Sequence, residues 1–279
     1  MNTDTEAFRS RTGRMALTLA LGLGFAPGCF AKTPMNPVLV EADRQLAVSL
    51  LSMRQTYIES GSGKVYDREE GRIPGLAVSL GFLWTGGAYV HGAVRDRFGS
   101  DTYVGATHSG VPVTTETGNR IATAAVRGGY GFMATPDIAV IPYLTGGNRA
   151  WRRALGGPAP YSEVYDSFWL GAGVLTEVAV SPHLVVSGFG SAGRMVLPFM
   201  TTSIDGETVA FQLGARTRVR AGISLDYRLR ARLHLLVEAT YVRFAFGTSG
   251  PTPITGTVLT VSEPASTTEE TSLQAGVAF

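Results

Sequence analysis

The sequence predicts an all-β fold: a single closed antiparallel transmembrane β-barrel of about ten strands, with short turns at one end and long loops at the other. Three observations carry this. The stretch Val209–Tyr227 alternates, with Val209, Phe211, Leu213, Ala215, Thr217, Val219, Ala221, Ile223, Leu225 and Tyr227 on one parity and Arg216, Arg218, Arg220 and Asp226 on the other. A strand sends these sets to opposite faces, whereas a helix would scatter the three arginines around its circumference. The alternation also outruns the about five or six residues of an ordinary strand and exceeds the roughly 9–11 that a tilted strand needs to cross hydrocarbon. Finally, short and long connections alternate along the chain, as in a barrel whose hairpins are tight on one side of a membrane and open on the other.

The elements follow in order. Residues 1–31 are expected to be a cleaved signal peptide: Arg9, Arg11 and Arg14 supply a basic start, Met15–Phe25 an apolar core, and Cys29-Phe30-Ala31 a small-x-small cleavage site. Lipidation of Cys29 is the competing reading, although the preceding Ala26-Pro27-Gly28 lacks the expected leucine. Residues 32–44, with two prolines and no periodicity, are expected to be a short lead-in on the periplasmic side. Residues 45–279 form the barrel domain. Its strands are expected at Leu46–Glu59, Ile73–Trp84, Ala88–Val104, Arg120–Ala134, Ile138–Arg153, Glu163–Val180, Leu184–Thr201, Val209–Tyr227, Leu233–Phe246 and Glu269–Phe279. An eight- or twelve-stranded barrel would follow if one hairpin is split or merged.

Short connections at Thr85–Gly87, Thr135–Asp137, Ser181–His183 and Arg228–Arg232 alternate with long ones at Ser60–Arg72, Gly105–Asn119, Leu155–Ser162, Thr202–Thr208 and Gly247–Thr268. An even strand count puts both chain ends on the short-turn side. Phe168, Leu170, Ala172, Val174, Val178 and Val180 are expected to face lipid, as are Leu76, Val78, Leu80, Phe82 and Trp84. Leu46–Glu59 and Leu184–Thr201 alternate poorly, and Pro142 and Pro198 suggest bulges or strand ends. Aromatics divide into two expected girdles: Trp84, Tyr89, Phe132, Tyr143, Tyr227 and Phe279 at one end, and Tyr57, Phe98, Trp151, Phe168, Phe199, Phe211, Phe244 and Phe246 at the other.

Composition narrows the function classes. The chain has 35 glycines among 279 residues, 16% charged residues, a mean hydropathy of +0.13 and a net charge of +2. A charge so small, without a basic helix or zinc spacing, argues against a nucleic-acid partner. One cysteine allows no internal disulfide and no CxxC motif. His91, His183 and His234 are too scattered to predict a metal site, and no cofactor motif is present.

The final residues, Thr271-Ser272-Leu273-Gln274-Ala275-Gly276-Val277-Ala278-Phe279, alternate and finish on an aromatic. This ending resembles the C-terminal assembly signal of Gram-negative outer-membrane β-barrel proteins, the broad porin-like and small outer-membrane protein class. The resemblance implies a cell outer membrane location and insertion by the barrel-assembly machinery, with outer-membrane lipid as the surrounding partner. Thr271, Leu273, Ala275, Val277 and Phe279 would carry the signal.

For chemistry, the parity of each strand predicts lumen-lining Arg95, Arg97, Arg127, Arg194, Arg216, Arg218 and Arg220, with Glu177, Asp226 and Glu238 as counter-charges. Buried charge must be paired or wetted. The first reading is therefore a lumen filled by charged side chains, in a non-enzymatic barrel with a structural or surface-interaction role and an extracellular ligand bound through its loops. An arginine-lined, narrow anion-favouring pore is the alternative. A rim enzyme acting on lipid or peptide is a further one, for which Asp101, His108 and Ser109 are the available residues. Neither the paired acids with Asp/His of ten-stranded outer-membrane proteases nor the His-x-Ser-Asn of lipid-A deacylases is found. A soluble periplasmic β-protein would instead require the lipid-facing set to form an internal core.

Overall fold

The computed structural model describes residues 33–106, 110–157, 160–204, 207–253 and 260–279. The signal-peptide and Cys29 expectations, together with His108 and Ser109, lie outside the described residues.

A short helix, α1 (Pro37–Ala42), precedes β1 (Leu46–Gly61), β2 (Lys64–Leu83), β3 (Ala88–Ala106), β4 (Pro112–Tyr130), β5 (Phe132–Thr135), β6 (Ile138–Leu155), β7 (Tyr161–Ser181), β8 (Leu184–Ile204), β9 (Glu207–Gln212), β10 (Gly214–Arg230), β11 (Leu233–Gly247), the two-residue pair β12 (Thr252–Pro253) and β13 (Thr260–Val261), and β14 (Ala265–Ala278). Every neighbouring pair in the large sheet is antiparallel. β14 pairs with β1 and β11, and β10 pairs with both β8 and β11, so the sheet closes on itself. Because β4–β5 and β9–β10 are each one wall strand with a break, the wall has ten strands. The β4–β5 break falls opposite Pro142 on β6, where proline has no N–H to give.

Expected strand positions hold, but the strands reach further than expected. Ser60–Arg72 is mostly paired strand: β1 and β2 pair on to Gly61↔Lys64, through a register shift between Glu59 and Ser60, and join by a turn at Ser62 and Gly63 with φ of 51° and 76°. The wall therefore continues well past its apolar zone. That zone is visible on the outer surface as Leu46, Val48 and Leu50 on β1, Leu76, Val78 and Leu80 on β2, and Ile223, Leu225 and Tyr227 on β10, all exposed. Above it stands a collar of exposed arginines: Arg54, Arg72, Arg120, Arg152 and Arg243.

Several expectations are corrected. Val209, Phe211 and Leu213 are buried inside the barrel, whereas Val219, Ile223 and Leu225 face outward. Between Ala215 and Arg218 the wall strand carries one residue more than β11 opposite it, and one added residue reverses parity. Pro198 does mark a bulge, between Phe199 and Val196 in their pairing with β7. Only half of the aromatics expected in the girdles stand on the outer surface. Trp84, Phe98, Phe132, Phe168, Phe199, Tyr227 and Phe279 are exposed, but Tyr57, Tyr89, Tyr143, Trp151, Phe211, Phe244 and Phe246 are buried lumen residues.

The lead-in is not free. Asn36 caps α1 by accepting from the Val38 N–H at 2.9 Å, and Pro37 occupies the first turn, where its missing N–H is not needed. Met35, Leu39 and Ala42 are buried against Leu83, Tyr89, Ile141, Leu175, Val185 and Phe189, so α1 forms a floor across the short-turn end. The chain then crosses Gly81, where a Cβ would stand 2.6 Å from the Asp43 carbonyl oxygen.

Candidate functional site

The lumen holds the candidate site, and it is layered. At the long-loop end lies an acidic chamber around one guanidinium. Arg153, 1% exposed, contacts Glu69 at 2.7 Å, Glu163 at 2.5 Å, Glu59 at 3.4 Å and Asp67 at 3.8 Å. Each acid comes from alternate positions of a strand extension: Tyr57-x-Glu59 on β1, Asp67-x-Glu69 on β2 and Glu163-x-Tyr165 on β7. Thr117 donates to Glu69 at 2.9 Å, and Gln55 to Asp101 at 3.1 Å. Tyr165 donates to Glu263 at 2.9 Å, while Glu263 is tied back to Ser249 by two bonds of 2.8 and 3.0 Å. Burial, reinforced by the nearby Glu163 charge, pushes the Glu263 carboxyl up to about 8. The chamber has an aromatic base. Trp151 meets Tyr57 edge-on at 5.2 Å and stacks on Tyr165 at 5.1 Å, and Tyr165 stacks on Phe246 at 6.0 Å.

Below this base the lumen turns basic. Arg95, Arg97, Arg127, Arg149, Arg218 and Arg220 line one cavity of about 60 Å³ together with Glu238 and Glu270. Glu238 pairs with Arg220 at 3.0 Å and Arg95 at 3.4 Å, and Glu270 with Arg149 at 2.7 Å. Aromatic faces take part of the remaining charge: Arg218 lies 4.4 Å above Trp169, and Arg220 4.3 Å above Phe189. A second cavity of about 100 Å³ adjoins toward α1. There Asp226 accepts from Gln45 at 2.6 Å and lies 2.5 Å from His234, and Glu41 of α1 pairs with Arg228.

Of the predicted lumen residues, Arg95, Arg97, Arg127, Arg218, Arg220 and Glu238 come together in the middle layer, and Glu177 and Asp226 sit in the layer above the floor. Two do not belong. Arg194 is exposed on the outer surface, paired across from lipid-side Leu170, because the register of β8 puts Phe189, Ser191 and Met195 inside instead. Arg216 is exposed beside Gly247, turned out by the irregularity between Ala215 and Arg218. Sequence reasoning missed Arg149, Arg153, Glu270 and the chamber acids. The signal was present as Arg149-x-Trp151-x-Arg153, a parity run hidden by the adjacent Arg152, which faces outward. Thr271, Leu273, Ala275 and Val277 all turn their side chains to the outer surface of β14, and Phe279 follows.

No family model matches the sequence, and no curated protein matches it. Among solved structures, the outer-membrane protease OmpT of Escherichia coli superposes with a TM-score of 0.61 at 9% identity, covering 86% of this chain and 97% of that one. The attachment invasion locus protein Ail of Yersinia pestis (10% identity, 85% and 99% covered, TM-score 0.35) and the toluene transporter TodX of Pseudomonas putida (8%, 88% and 91%, 0.34) also align. The chain thus has the fold of the ten-stranded outer-membrane barrels. A likeness of fold at 9% identity leaves the activity open.

Proposed function

We propose that this chain resides in the outer membrane as a barrel without a through-passage, its role structural or surface-interacting rather than catalytic. The observation that supports this most is the lumen, filled in succession by the chamber around Arg153, the aromatic base, the arginine layer and α1. The exposed apolar band matches a lipid surround, and the outward face of β14, with Thr271, Leu273 and Ala275, presents the residues that an assembly machinery would read. Chamber acids held on Arg153, with no histidine beside them among the described residues, favour a binding surface over a rim enzyme. A ligand would meet the chamber and the loops above it.

Planar-bilayer recording tests the closed lumen. The wild-type protein should give no discrete conductance steps. Steps that shrink in Arg218→Glu would replace this reading with anion passage.

A further inference from the structure

The middle layer carries a charge surplus that the protein does not resolve by itself. Six guanidiniums face two carboxylates in one cavity, a local excess of 6 − 2 = 4 positive charges. Acids elsewhere in the lumen can discharge themselves by binding a proton, but an arginine cannot lose one at any pH the protein meets. Among the described residues, Arg97, Arg127 and Arg218 make no ion pair. Nε and Nη1 of Arg97, a residue 6% exposed, have no hydrogen-bond acceptor, and neither does Nε of Arg149, at 5%. The acids of the outer chamber and of the floor lie in other layers and offer these N–H groups nothing at hydrogen-bonding distance. An unpaired buried donor on a charged group is among the most unfavourable arrangements in a protein interior.

We propose that this cavity is a binding site for one small inorganic oxyanion, phosphate or sulfate, held by Arg97, Arg149 and Arg218 in the middle of the barrel. The volume fits. A cavity of about 60 Å³ exceeds the roughly 10–15 Å³ needed for one water and is of the order of a single tetrahedral anion. Planar guanidinium forks match an oxyanion's paired oxygens, so Arg97 would donate from Nε and a terminal nitrogen together. The anion would cross-link β3, β6 and β10, three wall strands that do not adjoin one another. It would act as a fixed part of the wall rather than as cargo.

The test uses the full chain purified from membranes in zwitterionic detergent, with inorganic phosphate, and in parallel sulfate, as the probe at constant ionic strength. Isothermal titration should give saturable binding of about one anion per chain, and the urea midpoint of the heat-modifiable band should rise with anion concentration. Arg97→Gln should weaken binding at least ~10-fold, as expected for losing a charge-assisted bidentate donor. Arg54→Gln on the outer collar should leave it unchanged. If Arg97→Gln does not fold, Arg218→Gln takes its place. Absence of saturable wild-type binding up to about 10 mM would overturn the proposal and leave water as the filler; that range corresponds to an affinity too weak to matter. Binding lost in Arg54→Gln but kept in the lumen variant would equally overturn it, placing the anion on the collar.

Discussion

Replacing Ile223 by arginine asks whether the exposed apolar band faces hydrocarbon. Ile223 is 62% exposed on β10, with Val219 and Tyr227 each four residues away on the same outward row. Four residues span about 13 Å of strand at ~3.3 Å per residue. With a tilt of roughly 40°, that is about 10 Å of depth on either side, close to half of a ~25 Å apolar band. Ile223 therefore sits near the midplane, where an arginine costs about 2–4 kcal/mol. Were the same surface in water, an exposed substitution would stay within about 0.5 kcal/mol. The assay is urea unfolding of barrel folded into lipid vesicles, followed by gel mobility without heating. Thr217→Arg, at the edge of the band, is the control and should cost roughly 0–1 kcal/mol. Equal midpoints for Ile223→Arg, Thr217→Arg and wild type would refute the lipid-facing assignment.

Three further outcomes are expected. Arg153→Met leaves Glu59, Glu69 and Glu163 without their shared cation and should destabilise the folded barrel by about 3–5 kcal/mol at pH 8, less at pH 5, because burial holds the Glu59 carboxyl well above the usual carboxylate range; urea midpoints at both values check this, and a pH-independent loss would speak against charge as the cause. Glu263 keeps its proton to about pH 8 when folded, against 4.5 for an ordinary glutamate, so its contribution is fullest below 4.5, declines as pH rises to 8 and is then constant. Protection factors around Ser249, which divide out the base-catalysed rise in intrinsic exchange, should accordingly fall between pH 5 and 8 in wild type and stay flat across that range in Glu263→Gln. Leu39→Asp buries a carboxylate in the floor, where Leu39 is 0% exposed, and should release α1 because an unpaired charge there is far more unfavourable than leaving the lumen. A cysteine introduced at the fully buried Ala139 would then react with a thiol reagent in the Leu39→Asp background and stay protected without it.

Local pattern was sufficient for much of this protein. A parity of two, set by the backbone pleat, identified the strands, the outward faces of β7 and β10 and the inward course of Arg95-x-Arg97 and Arg218-x-Arg220. Turn residues identified the tight end, since glycine and proline constrain the backbone within a few residues. Wherever parity is interrupted, the sequence alone misplaces side chains. The extra residue between Ala215 and Arg218 and the bulge beside Pro198 each reverse inside and outside from that point; the proline announces the second, but no local composition announces the first. Nor could pattern tell an aromatic girdle from an aromatic core, because Tyr57, Trp151 and Phe246 serve the lumen only once β1, β6 and β11 face one another across it. The same holds for the layers. Arg153 with its acids, the arginine cavity, and α1 as a floor each join residues tens to hundreds of positions apart, and only closure of the barrel sets their depth and their partners.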